Sequence, residues 1–286
     1  LLPTNSVAVP ANLHGGVMKT TEVLQWVRGH VLPSGGLEAW NGAQVAYPEV
    51  TGYIIPSLVA HGEHDTAVEL ADWLVSQQNV NGSWSGLDEK WHTFDTSAIV
   101  QGLMELNGYD ERIQRALKWL YSMRREDGFL RKDQRSEMTE LYLCRASWII
   151  GDMATVAKYA PTPEWGHQWG QRNRAHYIAY ALEGLQAMGF NIDAALKASM
   201  GAVKRNGLMP FWLRNGWTDD GDDDAVATLQ FALLYARRGW KSDAARLVAA
   251  VEGEHMTGGG VHQATGDKRQ LSWGAKYYLD VAAVLE

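Results

Sequence analysis

Two kinds of helical segment alternate along this 286-residue chain, and that alternation constrains its fold more than any other feature. In both kinds apolar residues recur at the 3.6-residue spacing of a helix. One kind is apolar on nearly every side and begins near Thr51, Asp95, Glu137, Arg174, Asp224 and Ser272. The other is amphipathic and covers 17–30, 64–78, 111–125, 153–159, 193–204 and 242–251, with charged stripes such as Arg112, Arg115 and Lys118. A helix that is apolar all round must be enclosed, whereas an amphipathic one keeps a face in water.

Each short link follows an apolar helix and each long link precedes one. If consecutive helices are antiparallel, all the long links emerge at the same end. This pattern predicts an all-α fold: an (α/α)6 toroid of six helical hairpins, with apolar helices inside and amphipathic ones outside. It is expected as one domain over 1–286, after an irregular segment over 1–15. An open solenoid would carry the same repeat, but it would not sort its helices so cleanly into greasy and charged sets. Most long links share a glycine followed by bulky residues, as in Asn81-Gly82-Ser83-Trp84 and Asn206-Gly207-Leu208.

The first turns of the inner helices then line a mouth, and the polar residues there are the candidates for chemistry. Candidate catalytic groups are Glu49, Tyr53, His92, Asp95, His176, Asp222 and Asp224. Candidate substrate-binding groups are Trp40, Tyr47, Trp84, Arg174, Tyr177, Trp212, Trp217, Trp273 and Lys276. Glu49, Asp95 and Asp224 also occupy positions suited to helix capping, while Arg174 and Lys276 suit either ion pairs or a substrate carboxylate. The aromatic content supports a binding mouth: 13 Trp and 11 Tyr stand beside only 5 Phe, and Trp and Tyr join a flat apolar face to a polar edge.

The most acidic stretch, Asp219 to Asp224, puts five aspartates in six positions, read as a loop running into a helix. Asp219, Asp220 and Asp222 form a candidate calcium site, although the glutamate that would complete an EF-hand loop is missing. No other cofactor is expected. The single cysteine, Cys144, excludes an internal disulfide and any cysteine-built metal site. Nucleophile-elbow, phosphate-loop and His-Glu-x-x-His patterns do not occur.

A net charge of −7 and a pI near 5.7 argue against nucleic acid as partner, because phosphate neutralisation needs a basic face. The sequence contains no apolar run long enough for membrane insertion and no signal segment in the given chain, which favours the cytoplasm. Oligomeric state is not specified by the sequence.

Two resemblances arise at these residues. Gln78-Asn79-Val80-Asn81-Gly82-Ser83-Trp84 resembles the Q-x-x-x-G-x-W repeat of squalene and related terpenoid cyclases, in the superfamily that also contains prenyltransferase-like α/α barrels. Asp220-Gly221-Asp222-Asp223-Asp224-Ala225 is similar to their D-x-D-D-T-A motif, with Asp224 in place of threonine. The resemblance implies that Asp222 protonates an alkene. Three further segments, 47–56, 175–185 and 272–280, resemble a bacterial group found with polysaccharide-assembly proteins, similar in outline to α/α-barrel glycosidases, lyases and uronate epimerases. That likeness implies a poly- or oligosaccharide partner. The leading expectation is a glycan-active enzyme using carboxylate acid/base chemistry, as a hydrolase, lyase or epimerase; the alternatives are a single-domain class II terpenoid cyclase and a non-catalytic glycan-binding module.

Overall fold

The structure, a computed structural model, describes residues 19–123, 173–214 and 218–286; for 173, 214 and 218–220 it describes the backbone alone. The described residues are mostly helical. In chain order the helices are α1 (Thr20–Gly29), α2 (Pro48–Ala60), α3 (His64–Gln77), α4 (Thr93–Met104), α5 (Asp110–Ser122), α6 (Ala175–Ala187), α7 (Asp193–Met200), α8 (Ala225–Arg237), α9 (Lys241–Glu254) and α10 (Ser272–Leu285). The strands are β1 (Asn173–Arg174), β2 (Met209–Arg214), β3 (Thr218–Asp224), β4 (Met256–Thr257) and β5 (Gly260–Val261).

The sorting of helices follows the sequence pattern. Ten consecutive residues of α4, from Thr93 to Gly102, contain a single position that is not buried, and the first twelve residues of α8 are all buried. In α5, by contrast, only Ile113, Ala116, Trp119 and Leu120 are buried, at the spacing of one helical stripe. The inner helices pack side by side, α2 on α4, α6 on α8 and α8 on α10, while α10 packs on α2 and α1. This last contact brings the two ends of the described chain together and closes a ring. The helix pair expected near 137–159, together with the segment 1–15, lies outside the described residues.

Within the ring, α2 and α4 approach each other at the backbone. A Cβ on Gly102 would lie 2.1 Å from the Gly52 carbonyl oxygen, and one on Gly52 would lie 2.6 Å from the Ile99 Cα. The two backbones therefore touch, which holds the first turns of these helices beside each other. The Q-x-x-x-G-x-W segment performs a comparable task between outer helices. Gln78 donates through Nε2 to the Gly82 and Arg112 carbonyls, and Gly82 has a φ of +98° with its α-carbon against the Arg115 carbonyl. Trp84 then turns inward, fully buried, and donates through Nε1 to the Leu74 carbonyl at 2.7 Å.

The fold departs from the all-α expectation in the long links. Residues 218–224 are not a loop but strand β3, antiparallel to β2, which in turn pairs with β1. Asp223 and Asp224 stand opposite Pro210 and Met209, with a shift in register between Pro210 and Trp212. Aspartate disfavours strands on its own. Here the pairing partner supplies the structure, and Asp224 ends the strand by capping α8, its Oδ1 accepting from the Ala227 N–H at 3.0 Å.

Candidate functional site

The inner-helix first turns gather two clusters of polar side chains. The first is built by α2, α4 and α10, which are consecutive in the ring. Tyr47, immediately before α2, donates its hydroxyl to Asp95 Oδ2 on α4 at 2.9 Å. Glu49, in the first turn of α2, accepts from Trp273 Nε1 on α10 at 3.1 and 3.0 Å through its two oxygens. The Trp273 and Tyr47 rings meet edge to face, with centroids 6.1 Å apart, so the two carboxylates belong to one assembly. Both are buried, Glu49 to 2% exposure and Asp95 to 5%. Next to Asp95, His92 Nε2 lies 2.7 Å from Asp88 Oδ1, and Gly86 leaves room for all three: a Cβ there would meet His92, Asp88 and Asp95 within 3.1 Å.

Burial drives the phenol of Tyr47 far above its ordinary range, and the negative charges of Asp95, Glu49 and Asp88 push it further. Tyr47 is thus a hydrogen-bond donor at any ordinary pH. A buried carboxylate pair framed by a permanently protonated phenol and an indole N–H can hold a proton, release it, or orient a water molecule.

The second cluster is built by α6, α8 and the sheet. His176 Nδ1 lies 3.7 Å from Asp224 Oδ2, too far for a hydrogen bond, and neither atom has another partner among the described residues. Burial lowers the basicity of His176, the Asp224 carboxylate opposes that effect, and the Arg174 charge adds to it. The Arg174 guanidinium sits 4.3 Å from the centroid of Phe211 and 5.4 Å from that of Tyr177. Trp212 packs edge to face on Phe211 at 5.3 Å, and the Tyr177 ring lies 4.4 Å from that of His176. Phe94, beside Asp95, is 4.9 Å from Tyr180, which is 5.6 Å from His176. These two aromatic residues connect the clusters.

Other candidate residues lie outside these two clusters or differ from them in depth. Trp84 is fully buried between helices and offers no stacking face. Lys276 is 3% exposed and one turn deep in the barrel, where it pairs with Asp280 at 2.7 Å and lies over the Tyr53 and Tyr277 rings at 4.2 and 3.7 Å. Tyr53 is buried with it, sharing a short hydroxyl contact with Tyr277. All three side chains are enclosed. Asp222 is exposed, so the dry surroundings that alkene protonation requires are absent there, whereas Asp224 is wholly buried. Trp40 is half-buried and bridges to Leu271, with Arg269 6.0 Å from its ring. Trp217 lies outside the described residues, and Asp219 and Asp220 are described only as backbone opposite Leu213 and Trp212.

Asp88 and Asp280 were missed by the sequence reading, yet each had a signal: Asp88–His92 and Lys276–Asp280 both stand at a four-residue spacing. A cavity of about 530 Å³ also opens at the opposite, C-terminal ends of the inner helices, lined by Gln101, Glu105, Glu183, Gln186, Arg237 and Asp280 among others. Its ionic groups include structural pairs: Lys276 with Asp280, and Arg238 with Asp193 at 2.7 Å. The buried carboxylates with Tyr47 and Trp273 lie at the other end.

Comparison with solved structures places this architecture. An α-amylase from Clostridium perfringens superposes with a TM-score of 0.75 at 12% identity, covering 96% of this chain and 99% of its own. A type II terpene cyclase from Scytonema reaches 0.64 at 13% identity, covering 93% and 95%. The fold is that of the α/α toroids. A glycosidase variant in complex with glucose matches the toroid equally well, with a TM-score of 0.64 at 12% identity over 93% of this chain and 95% of its own. No family model matches the sequence, and no curated protein matches it. Among the described residues, no helix is long and apolar enough to cross a membrane.

Proposed function

We propose that this toroid is a glycan-active enzyme that hydrolyses a bacterial poly- or oligosaccharide, with Glu49 and Asp95 as the acid/base pair. The observation that carries the reading is the burial of two carboxylates on adjacent inner-helix first turns, joined through Tyr47 and Trp273. Glycoside hydrolysis needs two such groups: one protonates the leaving oxygen while the other activates water or attacks the anomeric carbon. The half-buried faces of Trp273, Tyr177 and Trp212 would receive the sugar rings, and the solved toroids that are glycosidases or an α-amylase support a carbohydrate substrate.

The test is incubation with a panel of bacterial polysaccharides, following reducing ends, chain length and the absorbance of unsaturated sugars. Wild-type protein should generate new reducing ends. Glu49→Gln and Asp95→Asn should each lower turnover by about 10²–10⁴-fold, with binding retained within a few-fold. Full turnover in both variants would sink the pair. New absorbance would redirect the reading to elimination by His176 and Arg174, and exchange of a substrate proton with solvent would redirect it to uronate epimerisation.

A second reading, terpenoid cyclisation, draws on Asp224 rather than Asp222. Asp224 is fully buried, one of its oxygens has no hydrogen-bond partner among the described residues, and its neighbour His176 adjoins the Tyr180 ring, which in turn meets Phe94. A dry aspartic acid against aromatic faces suits protonation of an alkene and stabilisation of the resulting cation. Conversion of an isoprenoid polyene that is abolished by Asp224→Asn would favour it.

A further inference from the structure

The structure holds a third polar cluster, away from the carboxylate pair, where strand β3 meets the C-terminus of α9. Asp223, the penultimate residue of β3, is 7% exposed. Glu254 is the last residue of α9, and His255 caps that helix, donating its backbone N–H to Val251 and accepting on its carbonyl from His262. One ligand atom from each of Asp223, Glu254 and His255 lies within 4.8 Å of the other two.

Two further observations point to a cation. His255 is 2% exposed, yet its Nε2 is buried with no hydrogen-bond partner among the described residues. An imidazole nitrogen left unmatched in the interior is costly unless something binds it. In addition, the two carboxylates are drawn together instead of apart: Asn206 Nδ2 donates to Asp223 Oδ2 at 2.9 Å and to Glu254 Oε2 at 3.3 Å. Such an amide orients the oxygens of two ligands in the way that outer groups commonly do around metals.

We propose that Asp223, Glu254 and His255 bind one divalent transition-metal cation of the zinc class. Two carboxylate oxygens and one imidazole nitrogen form a mixed oxygen and nitrogen set that suits a borderline cation, whereas an all-oxygen set would suit calcium. Three protein ligands leave a fourth position for water or an external group. Lys204 is the competitor. Its ammonium is 2.7 Å from Asp223 Oδ1 and donates to the Gly221 carbonyl at 3.1 Å. At 26% exposure this side chain can swing toward water when a cation takes over the charge of Asp223. The metal would then clamp β3 onto α9 one residue before Asp224 enters the second cluster.

The test is titration of the full, chelator-treated and dialysed chain with Zn2+ by calorimetry, and with Co2+ by its visible absorption. One equivalent should bind. His255→Gln and Glu254→Gln should each weaken binding by about tenfold or more, and Asn206→Ala by about 10–100-fold. Lys204→Met should tighten it, because the competing ammonium is gone. Glu254 is exposed, so its variant tests the site without disturbing the core. Absence of binding to wild type, or affinity unchanged within twofold in both the Glu254 and His255 variants, would overturn the proposal. Weaker binding in Lys204→Met would also overturn it.

Discussion

Tyr47 donates its hydroxyl to Asp95 across the junction of two neighbouring inner helices, at 2.9 Å. The bond joins a residue just before α2 to one in the first turn of α4, and its acceptor is a carboxylate at 5% exposure. A hydrogen bond to a charged, buried acceptor contributes about 1.5–3 kcal/mol. The Tyr47→Phe and Asp95→Ala variants, combined in a double-mutant cycle of urea denaturation, should therefore show a coupling of that size. A coupling near zero would mean that Tyr47 does not hold Asp95 in place.

The same junction depends on a backbone contact some distance below it. A Cβ on Gly102 would meet the Gly52 carbonyl oxygen at 2.1 Å, a main-chain atom that cannot rotate away. Gly102→Ala should push α4 from α2 and destabilise the protein by about 1–3 kcal/mol, as overpacking does. The informative readout is the Tyr47–Asp95 coupling measured in that background. It should shrink markedly if close helix packing sets the hydrogen bond, and it should persist if the first turns are positioned independently.

Asp280 gives the barrel interior an acid sensitivity. Burial opposes its ionisation, but Lys276 at 2.7 Å, the nearby Arg237 and the Ser57 hydroxyl at 2.5 Å hold it below the usual carboxylate range. A carboxyl whose folded pKa is depressed contributes stability above its unfolded pKa and loses it as pH falls through the folded value. Asp280→Asn should therefore destabilise the protein at neutral pH by about 3–5 kcal/mol, through loss of the buried ion pair with Lys276, with the difference from wild type narrowing in acid. Lys276→Met combined with Asp280→Leu should recover most of that loss. Urea midpoints from pH 3 to 7 provide the measurement.

The ring and its two classes of helix were legible in the sequence because burial on all sides, or on one stripe, leaves a direct periodic trace. So was the grouping of Tyr47, Glu49, Asp95 and Trp273, since each belongs to the start of an apolar helix. Depth was not legible. Trp84 looked like a stacking platform until its indole N–H proved to be satisfied by Leu74, and Lys276 looked like a mouth residue although it begins only the second turn of α10. Strand β3 was hidden for a different reason: neither its aspartates nor Pro210 in β2 has a local strand preference, so the pairing comes from tertiary context.

His176 supplies a pH signature for the second cluster. Burial lowers its pKa below the ordinary histidine value of about 6.5, against the pull of Asp224, and its Nδ1 stands 3.7 Å from Asp224 Oδ2. The folded state thus binds a proton on His176 less readily than the unfolded state does. Stability from this group is fully present above the unfolded pKa and falls as pH drops through the folded value. Comparing wild type with His176→Asn, the wild-type advantage should be largest at pH 7 and above and decline in mild acid, with an NMR titration midpoint for His176 below 6.5. Removing the carboxylate with Asp224→Asn takes away the opposing pull, so the midpoint should move lower still. A rise instead would mean that Asp224 does not stabilise the charged imidazole, and the two residues could not act as a coupled pair.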